Sequence, residues 1–326
     1  MDELYPIRLK GYEKETLWGG SAIARFFKHE AENAEKRAIG EEWVLTVRPN
    51  EKNQILNGAW AGRTLNEYWK AQNACPGEDF PLLIKFIDAR KDLSVQVHPD
   101  DVMAQSLGFP YGKNELWYVL DAEPGATLVY GTLPGVDRAA LTQALKDKNV
   151  ESVLNFVPVQ AGDAFFIPAG FIHAIGKGIL LAEVQQNCDL TFRLWDYDRR
   201  DANGCLRELH TEQALNAFRC FRESEFRHLR FLCQGSEPPI TGSTLLADTE
   251  FFRAEILPIH GQAPLPVNRA FLSVLCLGGS GCIRDAQKSY PVVAGDSYFL
   301  PAGLTSVVFE GTATLLLSSP PKRSTA

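Results

Sequence analysis

A twelve-residue segment occurs twice in this chain, and this repeat limits the possible folds more than any other feature of the sequence. Residues 162–173 and 295–306 share Gly, Asp, Pro, Ala and Gly at a constant offset of 133 positions. In both copies a Gly-Asp turn precedes a short, mostly apolar run and a Pro-Ala-Gly corner. Because proline cannot donate a hydrogen bond within a sheet, such a corner fits a barrel better than a central sheet. The repeat therefore predicts two copies of one β-unit.

The remainder of the chain has the pattern of a β protein. Short β-branched or aromatic runs alternate with Gly, Pro, Asn and Asp, for example at residues 42–47, 93–98 and 116–120. Many short strands separated by turn residues are typical of a sandwich or a barrel. Helical periodicity is sparse, and it predicts helices at residues 64–72, 136–148 and 211–218.

Composition and charge exclude several classes of function. The formal net charge is −7 and no basic stretch suits a phosphate backbone, which argues against a nucleic-acid partner. The acidic N-terminus lacks the apolar core of a signal peptide, and the most apolar stretches are interrupted by Gly, Pro or polar residues, so we expect no membrane span. The seven cysteines form no CxxC pair. Free thiols in a reducing cytoplasm are the simplest account of them.

Candidate metal ligands lie at the edges of three predicted strands. On one of them Gln96 and His98 share a face while two valines share the other, so the Gln/His face suits a polar lumen. Glu115 enters a second apolar strand, and His173 ends the first copy of the repeat. Two imidazoles, a carboxylate and an amide oxygen suit Zn²⁺, with Fe²⁺, Mn²⁺ or Co²⁺ as alternatives. The second copy has Ser306 in place of His173, as expected if one metal site remains.

Each of these residues also has an ordinary structural interpretation. His98 could cap a loop, Glu115 could pair with Lys113 at the surface, and His173 could be a polar residue at the start of a strand. Several potential ligands at strand edges, one of them in the repeat, together favour a metal site.

Five motifs follow one another along the first two thirds of the chain. They are residues 81–89 (PLLIKFIDA), 93–101 (LSVQVHPDD), 112–120 (GKNELWYVL), 170–175 (GFIHAI) and 183–199 (EVQQNCDLTFRLWDYDR). Their order and spacing resemble the type I mannose-6-phosphate isomerases, especially the short bacterial form. The similarity is strong over about residues 5–220 and weak beyond them. The chain lacks the large helical insertion of longer members, so the resemblance leaves the phosphate-binding residues unassigned.

The resemblance implies a duplicated cupin-like β-barrel, a jelly roll, with one Zn²⁺ per chain. It implies that the enzyme interconverts mannose 6-phosphate and fructose 6-phosphate through a cis-enediol. It also implies that Arg193 and Lys113 work in the active site, with Asp189 nearby and Trp18 in a segment beside the substrate. The metal ligands that it implies agree with those inferred from strand geometry, namely Gln96, His98, Glu115 and His173.

Such an isomerisation requires a base, a positive charge near the developing oxyanion and an anchor for the phosphate. On a strand Lys113 shares a face with Glu115, and a nearby cation would favour its neutral, basic form. The forked donors of Arg193 suit an enediolate or a phosphate. Alternatively, Lys113 is a solvated loop residue, and Arg193 forms a surface ion pair with Asp196 or Asp198.

Two other functions remain open from the sequence. One is a non-catalytic cupin that binds a sugar phosphate, and the other is a different cupin metalloenzyme, of the glucose-6-phosphate isomerase or dioxygenase type. We expect a catalytic cupin-like domain at residues 1–236 with helical insertions, and a second, metal-free domain at 237–326. A small sugar phosphate is the expected partner, with no nucleic acid or membrane, and the chain is expected to be a cytoplasmic monomer or homodimer.

Overall fold

The computed structural model describes residues 4–27, 37–72, 79–200, 204–221, 232–233 and 242–321. The strands are β1 (Ile7–Lys10), β2 (Tyr12–Gly20), β3 (Ile39–Leu45), β4 (Gln54–Ile55), β5 (Leu82–Ala89), β6 (Val95–Val97), β7 (Glu115–Ala122), β8 (Thr127–Thr132), β9 (Leu154–Pro158), β10 (Ala164–Ile167), β11 (His173–Ile175), β12 (Ile179–Gln186), β13 (Phe192–Trp195), β14 (Leu232–Cys233), β15 (Thr244–Asp248), β16 (Arg253–Pro264), β17 (Phe271–Arg284), β18 (Ser289–Val293), β19 (Ser297–Pro301) and β20 (Val308–Ser319). The helices are α1 (Ala22–Phe26), α2 (Leu65–Gln72), α3 (Asp101–Ser106), α4 (Arg138–Lys146) and α5 (Thr211–Ala217), with 3₁₀ turns at Gly58–Trp60 and Val150–Val153.

Two antiparallel sheets form the first unit. The six-stranded sheet has the order β10-β7-β12-β5-β3-β2, and the five-stranded sheet has the order β13-β6-β11-β8-β9. Val95 and Val97 pack in an apolar cluster that includes residues of α4 and α5, on the outer side of the five-stranded sheet. The alternate residues of the same segment, Gln96 and His98, therefore face the space between the sheets, as the sequence predicts.

A nine-stranded sheet carries the second unit, and the N-terminus of the chain contributes to it. Strand β1 pairs with β19, with Ile7 opposite Phe299, and β4 pairs with β1. The core of this unit is apolar, with Tyr298, Leu300 and Phe309 among its largest side chains. The predicted division between residues 236 and 237 lies outside the described residues and stays a prediction. The position of β1 was not predicted, because a four-residue strand does not specify its partner.

The two copies of the repeat have the same backbone geometry. Gly162 and Gly295 both have φ of 91°, a left-handed conformation that glycine adopts without strain. Within each turn an aspartate accepts a hydrogen bond from the backbone three residues earlier: Asp163 from Gln160 at 3.0 Å, and Asp296 from Val293 at 2.9 Å. The duplicated β-unit inferred from the sequence is thus visible at the level of individual hydrogen bonds.

The predicted mainly β architecture is confirmed, as are the three predicted helices, which correspond to α2, α4 and α5. Helices α1 and α3 were not predicted. Helix α3 begins after Asp100, whose carboxylate accepts a hydrogen bond from the backbone N–H of Met103 at 2.9 Å. None of the described helices has the length and apolarity needed to cross a membrane.

Candidate metal centre and active site

Three side chains with metal-ligating atoms converge between the two sheets of the first unit. One ligand atom from each of His98, Glu115 and His173 lies within 4.8 Å of the other two, and all three residues are buried. The Nε2 atoms of the two imidazoles are 3.1 Å apart. The carboxylate of Glu115 lies 3.6 Å from Nε2 of His98 and 3.4 Å from Nε2 of His173. Within the described part of the chain this is the one such group of three ligands.

Backbone carbonyls orient both imidazoles. Nδ1 of His98 lies 3.0 Å from the carbonyl oxygen of Leu190, and Nδ1 of His173 lies 2.8 Å from that of Phe171. A carbonyl can only accept, so each Nδ1 carries the proton and each Nε2 presents a lone pair. Burial lowers the pKa of His98 well below its ordinary value and that of His173 to about 3. Both rings are therefore neutral. Each donates a hydrogen bond from Nδ1 to a backbone carbonyl, as metal-bound histidines typically do.

The fourth predicted ligand lies beside this group. Gln96 on β6 pairs directly with His173 on β11, and its side-chain amide is 3.4 Å from Nε2 of that histidine. Because the oxygen and nitrogen of a side-chain amide are interchangeable by a half rotation, this position is compatible with an oxygen ligand. The sequence-based grouping of Gln96 with the two histidines and Glu115 thus corresponds to one place in the structure.

Glu115 is a buried carboxylate that lacks ordinary hydrogen-bond donors. Oε2 lies 2.8 Å from Nζ of Lys113, and Oε1 has no hydrogen-bond partner among the described residues. Burial and the nearby Glu183 carboxylate raise its pKa. Lys113 compensates this buried charge at Oε2, and a metal ion would compensate it at Oε1. The donor set therefore fits a divalent metal ion, with two neutral imidazoles and a carboxylate at its centre.

A cavity of about 390 Å³ lies next to these ligands, since Gln96 and Lys113 line it and contact the two histidines. All the other predicted site residues line it: Trp18, Gln96, Lys113, Asp189 and Arg193. Lys113 is buried rather than solvated, with Nζ 3.2 Å from Nε2 of His98. Its predicted pairing with Glu115 exists, but in the interior and not at the surface.

Arg193 does not form the surface ion pair considered as its alternative interpretation. Its guanidinium donates to the backbone carbonyl of Glu208 at 2.6 Å. Asp196 instead binds Arg199 and Arg207. Asp189 lies at the edge of the cavity, where its carboxylate forms an ion pair with Arg48 at 2.8 Å.

Sequence reasoning missed five charged residues that line this cavity, namely Lys14, Glu41, Lys85, Glu183 and Arg207. Nζ of Lys85 lies 3.1 Å from Glu183 and 3.4 Å from Glu41. Glu183 also accepts a hydrogen bond from the indole of Trp117 at 3.0 Å. Burial alone would disfavour the charged forms of both Lys85 and Glu183. The two carboxylates nevertheless raise the pKa of Lys85. The ammonium groups of Lys113 and Lys85 lower the pKa of Glu183.

A sequence signal for two of these residues was present. Lys85 is surrounded by apolar residues in β5, and Glu183 interrupts an apolar run in β12. A charge within a fully buried strand requires a buried partner, and these two residues are directly opposite each other in the register of the two strands.

The neighbouring Glu42 lies outside the site, and its ionisation gives a prediction about the stability of the protein. It does not line the cavity and lies opposite Glu13 across β2 and β3. Burial, followed by the charge of Glu13, raises its pKa from 4.5 to about 7. Between pH 4.5 and about 7, Glu42 is ionised in the unfolded chain but still protonated in the folded one. The residue therefore lowers the free energy of unfolding as the pH rises through this range.

We therefore expect Glu42→Gln to raise the free energy of unfolding by about 1 to 2 kcal/mol at pH 8, less than the full shift because the side chain is partly exposed. Near pH 4.5 the gain should vanish. Chemical denaturation at both pH values measures the difference. Equal effects at the two pH values would show that the ionisation of Glu42 does not limit stability.

Comparisons with known proteins agree with this geometry. The family model for the phosphomannose isomerase type I catalytic domain matches residues 7–128, and that for the mannose-6-phosphate isomerase cupin domain matches residues 242–320. The chain is 35% identical to mannose-6-phosphate isomerase ManA of Bacillus subtilis, over 96% of this chain and 98% of that protein. It is 32% identical to the mannose-6-phosphate isomerase of Streptococcus mutans, with the same coverage.

Solved structures give the same result. A crystal structure of mannose 6-phosphate isomerase from Bacillus subtilis superposes with a TM-score of 0.85 at 32% identity, covering 96% of this chain and 99% of that one. Phosphomannose isomerase from Salmonella typhimurium shares the fold, with a TM-score of 0.73 at 14% identity. The duplicated cupin-like β-barrel implied by the resemblance is thereby confirmed.

Proposed function

The chain belongs to the type I phosphomannose isomerase family, and from that membership we propose that it interconverts mannose 6-phosphate and fructose 6-phosphate in a metal-dependent reaction. The observation that carries the proposal is the convergence of two neutral imidazoles and a buried carboxylate beside a cavity lined by lysine and arginine. A polar cavity of this size suits a sugar phosphate.

His98, Glu115 and His173 would hold the metal ion, with the amide oxygen of Gln96 as a fourth ligand. Zn²⁺ is the ion that this set suits best, while Fe²⁺, Mn²⁺ and Co²⁺ accept the same donors. The bound ion supplies a Lewis acid that favours negative charge on the oxygens of C1 and C2.

Lys113 is proposed to move the proton between C2 and C1. Its Nζ lies against both Glu115 and His98, so it is adjacent to where those oxygens would be placed. Proton transfer by a positioned side chain requires this proximity. Glu115 could act as the base only if it were not firmly bound to the metal.

Lys85 and Arg193 supply fixed positive charge. The raised pKa of Lys85 keeps its ammonium protonated between Glu41 and Glu183, so it neutralises carboxylates that would otherwise repel an anionic substrate. Arg193 projects into the cavity from β13 and remains protonated even though burial lowers its pKa, because arginine starts from a very high value. Preorganised charges of this kind stabilise an enediolate without reorganisation.

The setting of the enzyme is also a proposal. We place it in the cytoplasm as a monomer or homodimer that needs neither nucleic acid nor a membrane. Among the described residues, Cys188, Cys220, Cys276 and Cys282 are free thiols, in agreement with a reducing compartment.

The reaction is tested by supplying mannose 6-phosphate and glucose 6-phosphate separately to the metal-loaded protein and following the products by NMR. We expect fructose 6-phosphate from mannose 6-phosphate. Conversion of glucose 6-phosphate in preference to mannose 6-phosphate would assign a different isomerase. Saturable binding without turnover would indicate a sensor.

A further inference from the structure

Asn114 lies in the chain between Lys113 and Glu115, but its side chain has different surroundings. Lys113 lines the cavity of the proposed active site, and its ammonium contacts Glu115. Asn114 instead lines a second cavity, of about 430 Å³, together with Ala169. Successive side chains of an extended segment point to opposite faces, which accounts for this difference. The amide of Asn114 is therefore not placed to contact a substrate.

Asn114 is buried, and both ends of its amide form hydrogen bonds. Its Nδ2 donates to Oε1 of the buried Gln186 at 2.7 Å, and its Oδ1 accepts from the backbone N–H of Ala169 at 2.9 Å. Nε2 of Gln186 donates to Oδ1 of Asp101 at 3.0 Å, and the same oxygen accepts from the backbone N–H of Gly112 at 2.7 Å. We call Asn114, Gln186 and Asp101 the amide relay.

The carboxylate at one end of the amide relay fixes the orientation of both amides. Because the carboxylate of Asp101 can only accept, Gln186 must direct its Nε2 towards it and its Oε1 towards Asn114. Asn114 must then donate to Gln186, which leaves its oxygen for the N–H of Ala169. Reversing either amide would place two acceptors or two donors against each other. The amide relay therefore has a single satisfied arrangement, as expected of a rigid support.

The end of the amide relay at Ala169 leads to both proposed histidine ligands. The next residue, Gly170, donates its backbone N–H to the carbonyl of His98 at 2.9 Å. The carbonyl of Phe171 then lies 2.8 Å from Nδ1 of His173 and orients that ring. A displacement of this corner would therefore move both imidazoles.

The second copy of the repeat satisfies the equivalent N–H in a different way. Ala302 corresponds to Ala169 at the offset of 133, and its backbone N–H donates to the backbone carbonyl of Ala270 at 3.2 Å. Main-chain pairing is thus sufficient for the corner in the copy that lacks the histidine. The copy that ends in His173 uses the side chain of Asn114 instead. This contrast favours a role in the metal site over a role in forming the barrel.

We propose that Asn114 is a positioning residue of the metal centre, which holds Lys113, Glu115 and the corner before His173 in one arrangement. The inference rests on the proposed function and deepens it. Loss of the amide should displace the ligands without removing a contact to the substrate. Groups that orient metal ligands in this way typically contribute about 10- to 100-fold to metal affinity or activity.

The test measures metal affinity separately from turnover. Competition with a chromogenic chelator gives the dissociation constant of Zn²⁺, and steady-state kinetics gives kcat and KM for mannose 6-phosphate. We expect Asn114→Leu, which removes both hydrogen bonds at similar size, to weaken Zn²⁺ binding and lower kcat by about 10- to 100-fold each, with KM changed less than about threefold. Asn114→Ser is a smaller, polar replacement that should act in the same direction.

A double-mutant cycle tests whether the effect passes through Gln186. Gln186→Leu should also weaken Zn²⁺ binding, because it removes the partner of Asn114. Both substitutions remove the same hydrogen bond, so the double variant should bind Zn²⁺ only slightly more weakly than the weaker-binding single variant.

Asn57→Leu is the matched control. The amide of Asn57 also joins two backbone groups, since Nδ2 donates to the carbonyl of Pro6 at 2.8 Å and Oδ1 accepts from the N–H of Arg8 at 2.8 Å. Asn57 lies beside β1 in the second unit, so its replacement should lower stability but leave Zn²⁺ binding and kcat unchanged.

Circular dichroism identifies the variants that are folded. The proposal is overturned if folded Asn114 variants bind Zn²⁺ as tightly as the unmodified protein, or lose no more affinity than Asn57→Leu. Losses that multiply fully in the double variant would overturn the role of the amide relay. Zn²⁺ binding that depends on Asn114 in a protein without turnover would support the positioning role and reject the proposed isomerase.

Discussion

Replacing His173 by alanine is expected to remove the metal and to lower kcat/KM by at least about 1000-fold. The buried Nε2 lies 3.1 Å from Nε2 of His98 and 3.4 Å from Glu115, so its loss removes one of the two imidazoles in the proposed set. Lewis-acid stabilisation of the reaction is worth several kcal/mol, and about 4 kcal/mol corresponds to the stated factor. Elemental analysis after dialysis, together with the isomerase assay, measures both effects.

His260→Ala is the control for this experiment. His260 is exposed on β16, far along the chain from any proposed ligand, and its replacement should alter neither metal content nor rate. Circular dichroism shows whether the His173 variant retains its β structure. A folded His173→Ala protein with full metal content and an unchanged rate would remove this histidine from the metal centre.

Replacing Lys113 by methionine is expected to separate catalysis from metal binding. The ammonium of Lys113 competes with a metal ion for Oε2 of Glu115 and Nε2 of His98, at 2.8 Å and 3.2 Å. Its removal should therefore leave metal affinity equal or higher. Without the proposed base, kcat should fall by about 100- to 10,000-fold.

Two further measurements make this prediction specific. In the metal-free state Lys113→Met leaves the buried Glu115 and Glu183 with less compensation, so the apoprotein should lose about 3 to 5 kcal/mol of stability, which metal binding partly restores. Lys146→Met, on the exposed side of α4, should change none of these quantities. A kcat within tenfold of the unmodified enzyme would assign the proton transfer to another group.

The sequence was sufficient for the architecture because the repeat combines two independent signals. Gly-Asp turns and a proline corner indicate strand ends, and their recurrence indicates duplication. The same alternation placed Gln96 and His98 on one face, because a strand fixes side-chain direction by position alone. These inferences depend on local geometry, which sequence patterns carry well.

Contacts between distant segments of the chain were harder to predict from the sequence. Lys85 and Glu183 are 98 positions apart, and only the register of β5 against β12 brings them together. The alternative interpretation, in which Arg193 forms a surface ion pair with Asp196, was wrong for a related reason. Asp196 instead forms an ion pair with Arg207, which lies later in the chain. Charge pairing across a fold depends on topology, which a single sequence specifies weakly.

The coupled assay of fructose 6-phosphate formation from mannose 6-phosphate tests the central claim most directly. The protein is assayed as purified, after chelation with its residual metal measured, and after Zn²⁺ is restored. Turnover that disappears with the metal and returns in proportion to bound Zn²⁺ is the result that a centre at His98, Glu115 and His173 predicts. Full turnover by metal-free protein, or no turnover from folded protein with any of the four metals, would contradict it.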